Sequence, residues 1–208
     1  MKYSLALFLL FFSTISWAAT EEYTYKIIKE SSIPKIKNSL EISLDKKITK
    51  DQLTTLAKKL KGNSEYERTF IGYVINKPKV VNGYWATTHF NPELNVKILG
   101  LTIDQEKEMR TKSDDEEGKK IISSWIDDRP YVGAKITIYE DKEKFYMTSV
   151  YGDKSSSTEE MKVTKKGNGR KVETIEKNGF GEYFLINEEG ALEFWSSTRN
   201  YYTAKELK

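Results

Sequence analysis

A single histidine, His89, and the absence of cysteine limit the chemistry open to this 208-residue chain. A Ser-His-Asp relay or a multi-histidine metal centre would have only that one imidazole, with its partners brought in from elsewhere in the fold. Strand alternation sets His89 on one face with Trp85 and Thr87, where a hydrogen-bonded sheet histidine accounts for it. The neighbouring acids Asp127 and Asp128, followed by Arg129-Pro130, could ligate Ca²⁺ or divide acid and base roles. Adjacent strand residues point to opposite faces, however, so the pair reads as a charged turn at a strand end. The acidic run at 114–117 lacks the alternating oxygen spacing of an EF-hand loop. Gly167-Asn168-Gly169 lies between strand-like stretches with no helix after it, which marks a hairpin turn rather than a phosphate cradle. From these residues we expect no catalytic constellation, no metal centre and no cofactor.

Recognition is the chemistry that remains. Aromatic residues make up 12% of the chain and recur through the strand-like stretches of its C-terminal half. Trp125, Tyr183, Trp195, Tyr201 and Tyr202 are the binding candidates, because Tyr and Trp join a large apolar area to a polar tip. Plain core is the competing reading for each of them. Over 182–187 and 191–196 both strand faces carry bulky apolar groups. One face must fill a core; the other is covered by the N-terminal half, lines a cavity or meets a partner.

These residues need elements to position them. Alternation predicts strands at 22–29 and around Leu40, Ile42 and Leu44, with a connector over 30–38. Thr49 and Gln52 form a capping box, and Leu53, Leu56, Ala57 and Leu60 then share one helical face. Lys58, Lys59, Lys61 and Gly62 suit the helix end. Strands follow at 66–76, 83–90 and 95–100, and Thr102 with Gln105 caps a second helix through Met109. Beyond the polar run at 112–120, strand-like stretches recur at 121–126, 134–140, 145–151, 160–164, 171–176, 182–187 and 191–196, separated by turn signals. The fold expected is α+β: an N-terminal β-α-β-β-β-α unit packed with a C-terminal antiparallel β-meander. The expected divisions are a signal peptide at 1–18, the α+β unit at 19–112, a polar loop or linker at 113–120 and the meander at 121–208.

Lys2, the apolar run from Leu5 to Ile15, and Ser16-Trp17-Ala18 before Ala19 have the layout of a cleaved secretory signal. The run is shorter than the ~20 residues of a membrane span. Export predicts a periplasmic or secreted protein. With no cysteine there is neither a disulfide nor a lipidated thiol. The rest of the chain is long enough to fold on its apolar core alone. Its formal net charge of +3, with both signs interspersed, does not suit nucleic acid or an anionic membrane as partner.

Two segments, GYWATTHFNPELNVKILG at 83–100 and GEYFLINEEGALEFW at 181–195, resemble blocks of a family of uncharacterised bacterial proteins that are exported, membrane-anchored or prophage-associated. Together they span about a sixth of the chain. Phe184 departs from the Tyr usual at that place, and Ser196 lies where an acidic residue is common. The resemblance implies family membership and no particular activity.

Export, missing catalytic spacing and an aromatic meander lead us to expect a non-enzymatic bacterial envelope protein. It would act by protein–protein binding, as an inhibitor or immunity-type protein does, on another envelope or secreted protein. One alternative is a carrier of a small apolar ligand in a rolled meander, which predicts a cavity of ~300 Å³ or more. The other is an acidic-residue hydrolase of envelope glycans, which predicts facing carboxyls ~5–10 Å apart.

Overall fold

Alternation and capping organise the chain into two sheets and two helices, seen in a computed structural model that describes residues 23–77, 83–112, 118–176 and 179–207. The signal read at 1–18 and the acidic run at 114–117 lie outside the described residues. None of the described helices is long and apolar enough to cross a membrane.

The first sheet holds β1 (Tyr25–Ile33), β2 (Lys37–Leu44), β3 (Arg68–Ile75), β4 (Ala86–Phe90) and β5 (Leu94–Ile98), in that spatial order. Only β2 and β3 run parallel. Parallel neighbours need a crossover, and α1 (Lys50–Lys61) supplies it. The helix starts where the sequence marks it: the Thr49 hydroxyl accepts from the Gln52 N–H, and the Gln52 side chain accepts from the Thr49 N–H. Its face of Leu53, Leu56 and Ala57 is buried with Leu40, Ile42, Ile71, Tyr73 and Ala86. Burial of each leucine contributes about 1.5–3 kcal/mol.

The connector expected over 30–38 is instead a tight hairpin, with β1 running to Ile33 and β2 beginning at Lys37. Exposed polar residues suffice there because β1 is an edge strand, held to its neighbour by backbone pairing rather than by a buried face. Trp85 also departs from expectation. It precedes β4 and is buried in the core, with its indole N–H donating to the Leu101 carbonyl at 2.9 Å, while Thr87 and His89 stay half-buried.

After α2 (Ile103–Thr111), capped by Thr102 and Gln105, the chain forms one antiparallel meander. Its strands are β6 (Lys120–Asp127), β7 (Ala134–Asp141), β8 (Lys144–Tyr151), β9 (Ser156–Lys166), β10 (Gly169–Thr174), β11 (Tyr183–Ile186), β12 (Leu192–Trp195) and β13 (Asn200–Ala204). Each pairs with the next in sequence. The two edges then meet: Trp125 of β6 bridges Glu206, and the Leu207 N–H donates to the Ser124 carbonyl at 2.8 Å. The eight-stranded sheet thereby curls into a near-barrel. The last strand escapes sequence reading because adjacent Tyr201 and Tyr202 break the alternation, and a bulge lies opposite at Phe194 and Trp195.

The segment before α2 docks on this barrel. Leu101 and Met109 bury against Ile126 with Leu207 beside them, and the Tyr131 N–H donates to the Leu99 carbonyl. The Gln105 side chain donates to the Gly152 carbonyl at 2.9 Å. A Cβ on Gly133 would stand 2.9 Å from the Leu101 side chain, and the residue takes φ +49°, so glycine fits there on both counts.

Candidate functional site at the open end of the barrel

Register pairing identifies the inward face of the meander. Asp127, Ala134 and Tyr151 are paired across β6, β7 and β8, as are Trp125, Ile136 and Ser149 one step deeper. Further round, Met147 pairs with Glu159, and Phe184 with Phe194. One end of the interior is packed solid by Trp125, Ile138, Met161, Val172, Ile186 and Leu192. Toward the end that carries the loop residues 128–133, 152–155, 175–176, 179–182 and 196–199, inward positions shrink and become polar. Ser149 follows Met147 on β8, and Ser157 and Glu159 precede Met161 on β9. The lost side-chain volume opens a cavity of about 380 Å³. Eight strands enclose just enough room for side chains or for one small ligand. Here small residues decide in favour of space.

The cavity has two unlike walls. Phe184, Phe194 and Tyr201 form an aromatic one, while Ser149, Ser157 and Glu159 form a polar one. Glu159 makes no hydrogen bond or ion pair among the described residues. At the rim the Arg129 guanidinium lies 4.6 Å from the Phe194 ring centre, 4.9 Å from Tyr202 and 5.5 Å from Tyr201. It also pairs with Asp127, which is only 1% exposed. Asp127 accepts from three N–H groups of Arg129: the backbone N–H, the Nε–H shared between both carboxylate oxygens, and an Nη2–H. Burial alone would depress the guanidinium pKa; the Asp127 hydrogen bonds and charge outweigh it and raise the value.

Asp127 and Asp128 diverge, as alternation requires. The Asp128 carboxylate accepts from the Tyr202 hydroxyl at 2.7 Å, and its own N–H donates back to that hydroxyl. Burial first, and then the Asp128 charge, push the Tyr202 hydroxyl far above its ordinary pKa, so it stays a donor. Both oxygens of the Asp127 carboxylate are thus engaged by Arg129. Among the described residues no three His, Asp or Glu side chains converge as a metal site would need.

The five aromatic candidates separate. Tyr201 and Tyr202 meet at the rim around Arg129. Trp125 is fully buried in the packed end, its indole N–H donating to the Gly190 carbonyl at 2.7 Å, and belongs to the core. Tyr183 and Trp195 stack with centroids 5.9 Å apart, on the opposite parity to the inward pair Phe184 and Phe194, and Tyr183 also borders the cavity. There Lys166 lies over both rings and Lys171 over Tyr183, so the ring faces already hold cations. His89 is not the hydrogen-bonded histidine expected; among the described residues it makes an edge contact with Phe70, centroids 6.3 Å apart.

Sequence reading missed Arg129, Ser149, Ser157 and Glu159. The signal available was the change from Met to Ser or Glu along inward-facing positions, which becomes legible only once the register is known. Comparison with known proteins leaves the chain on its own geometry: no family model, no curated protein and no solved structure matches it.

Proposed function

We propose that this chain is a binding protein that receives a small ligand, or one group of a larger one, in the open end of its barrel. The observation that carries this is the 380 Å³ cavity with one aromatic and one polar wall. Such a lining matches how small-molecule sites combine apolar area with a few polar groups that fix orientation. The export signal read at 1–18 supports the periplasm or the cell exterior as the place of action. The close pairing of Asp127 with Arg129 weighs against an acid/base hydrolase at this end.

A neutral solvatochromic dye, prodan, tests this directly. Its emission should rise and shift to the blue in a saturable, one-to-one manner with the purified protein. Ser149→Phe or Ser157→Phe, each filling the cavity, should abolish the response while keeping the native circular dichroism. No saturable response in the wild type, or an equal one in a folded cavity-filled variant, would overturn the proposal.

A partner protein docking at the same end is the second reading, with an inhibitor or immunity-type role. It is favoured by Tyr131 and Phe180, both 81% exposed on loops at this end. Tyr131 also holds the left-handed conformation, at φ 65°, which is costly for a bulky side chain and is often kept where it serves contact. Tyr131→Ser with Phe180→Ser would cut capture of such a partner and leave dye binding unchanged.

A further inference from the structure

We infer that the ligand of the barrel's open end is an organic cation, an ammonium group on a short apolar body. This rests on the binding function proposed above. The charged side chains lining the cavity are Asp127, Arg129, Glu159 and Glu182. Asp127 and Arg129 cancel each other through their close ion pair. Glu159 has no hydrogen bond or ion pair among the described residues, so its carboxylate leaves uncompensated negative charge in the lining. An anionic ligand would meet this excess with Arg129 already committed. A neutral one would leave Glu159 unused.

The aromatic wall contributes through Phe184: Arg129 occupies the rings of Phe194, Tyr201 and Tyr202 at 4.6–5.5 Å from their centres, whereas among the described residues no cation lies over Phe184. Aromatic faces attract cations through the ring quadrupole, and more strongly where water is excluded. Phe184 lines the same wall and is half-buried. An ammonium ion donating to Glu159, with its hydrocarbon against Phe184 and the Ile136–Met147 floor, would use the cavity's free carboxylate and its apolar area together. The hydroxyls of Ser149 and Ser157 would accept its remaining N–H groups.

Isothermal titration of the full chain with three ligands of one tail length decides the matter: hexylammonium, hexanol and hexanoate. Hexylammonium should bind about two- to fivefold more tightly than hexanol, as pairing with an exposed carboxylate implies, and hexanoate should bind more weakly than either. Glu159→Gln should erase the preference for hexylammonium over hexanol. If hexanol or hexanoate matches hexylammonium in the wild type, or the preference survives Glu159→Gln, the cation assignment falls and the cavity's binding role stands. If no ligand binds, while prodan also gives no saturable signal, both fall.

Discussion

Removing one member of the Asp127–Arg129 pair should destabilise the barrel far more than removing both. Asp127 is 1% exposed, and the Arg129 side chain is 22% exposed beneath three aromatic rings. Breaking a buried pair by deleting one partner costs about 3–5 kcal/mol, because the survivor is left charged and desolvated. Asp127→Ala falls at the low end, near 3 kcal/mol, since Arg129 retains partial solvation and cation–π contacts of about 0.5–2 kcal/mol. Arg129→Met falls at the high end, near 5 kcal/mol, because the stranded Asp127 carboxylate has almost no solvent to turn to. The double variant Asp127→Ala/Arg129→Met leaves no orphan charge and should cost about 2 kcal/mol, chiefly for the cavity at position 127. Urea denaturation followed by tryptophan fluorescence reads the series, because Trp125 is fully buried in the barrel interior. For a domain of this size 3 kcal/mol corresponds to a Tm lower by about 6–12 °C. Single-variant losses that sum to the double-variant loss within about 0.5 kcal/mol would refute the coupling. So would a smaller loss for Arg129→Met than for Asp127→Ala.

Other perturbations follow from separate contacts. Gly169→Ala places a Cβ 2.5 Å from the Ile186 carbonyl oxygen; the β10–β11 pairing must shift, at a cost of about 2 kcal/mol, measurable as a lower urea midpoint. Gln105→Ala removes both the reciprocal half of the α2 capping box and the bond to Gly152. A loss of about 1–2 kcal/mol is expected, with faster amide exchange across α2 and unchanged exchange across β2–β3. Glu106 governs acid sensitivity where the two halves of the chain meet. Burial would raise its carboxyl, but the hydrogen bonds and charges of Lys47 and Arg110 prevail and hold it below the ordinary 4.5. A depressed carboxyl stabilises above its unfolded pKa, and that gain is lost as pH falls through the folded one. Glu106→Gln should therefore cost about 1 kcal/mol at pH 7 and flatten the fall in stability below pH 4.5.

Some of the molecule was legible because its causes are local. Thr49 with Gln52 and Thr102 with Gln105 satisfy helix N-termini within three residues, so both caps stand as read. Gly167-Asn168 likewise forms the two-residue turn of the β9–β10 hairpin with no help from distant chain. The site was another matter. Arg129 meets the rings of Phe194, Tyr201 and Tyr202 only after the meander has turned back on itself. Tyr183 and Phe184, neighbours in sequence, go to opposite faces of the barrel, and only the pairing register says which goes inward.

The sequence by itself thus determined the sheet-rich α+β character, the two capped helices, the hairpin turns and the aromatic residues that the C-terminal strands carry. Tertiary structure alone decided that β2 and β3 run parallel, that Glu206 and Leu207 close the barrel against β6, and that small inward residues leave one end open. The division has one physical reason. Alternation and capping are settled by neighbours a few residues apart, whereas curvature, closure and the volume left inside depend on side chains whose meeting the chain path decides.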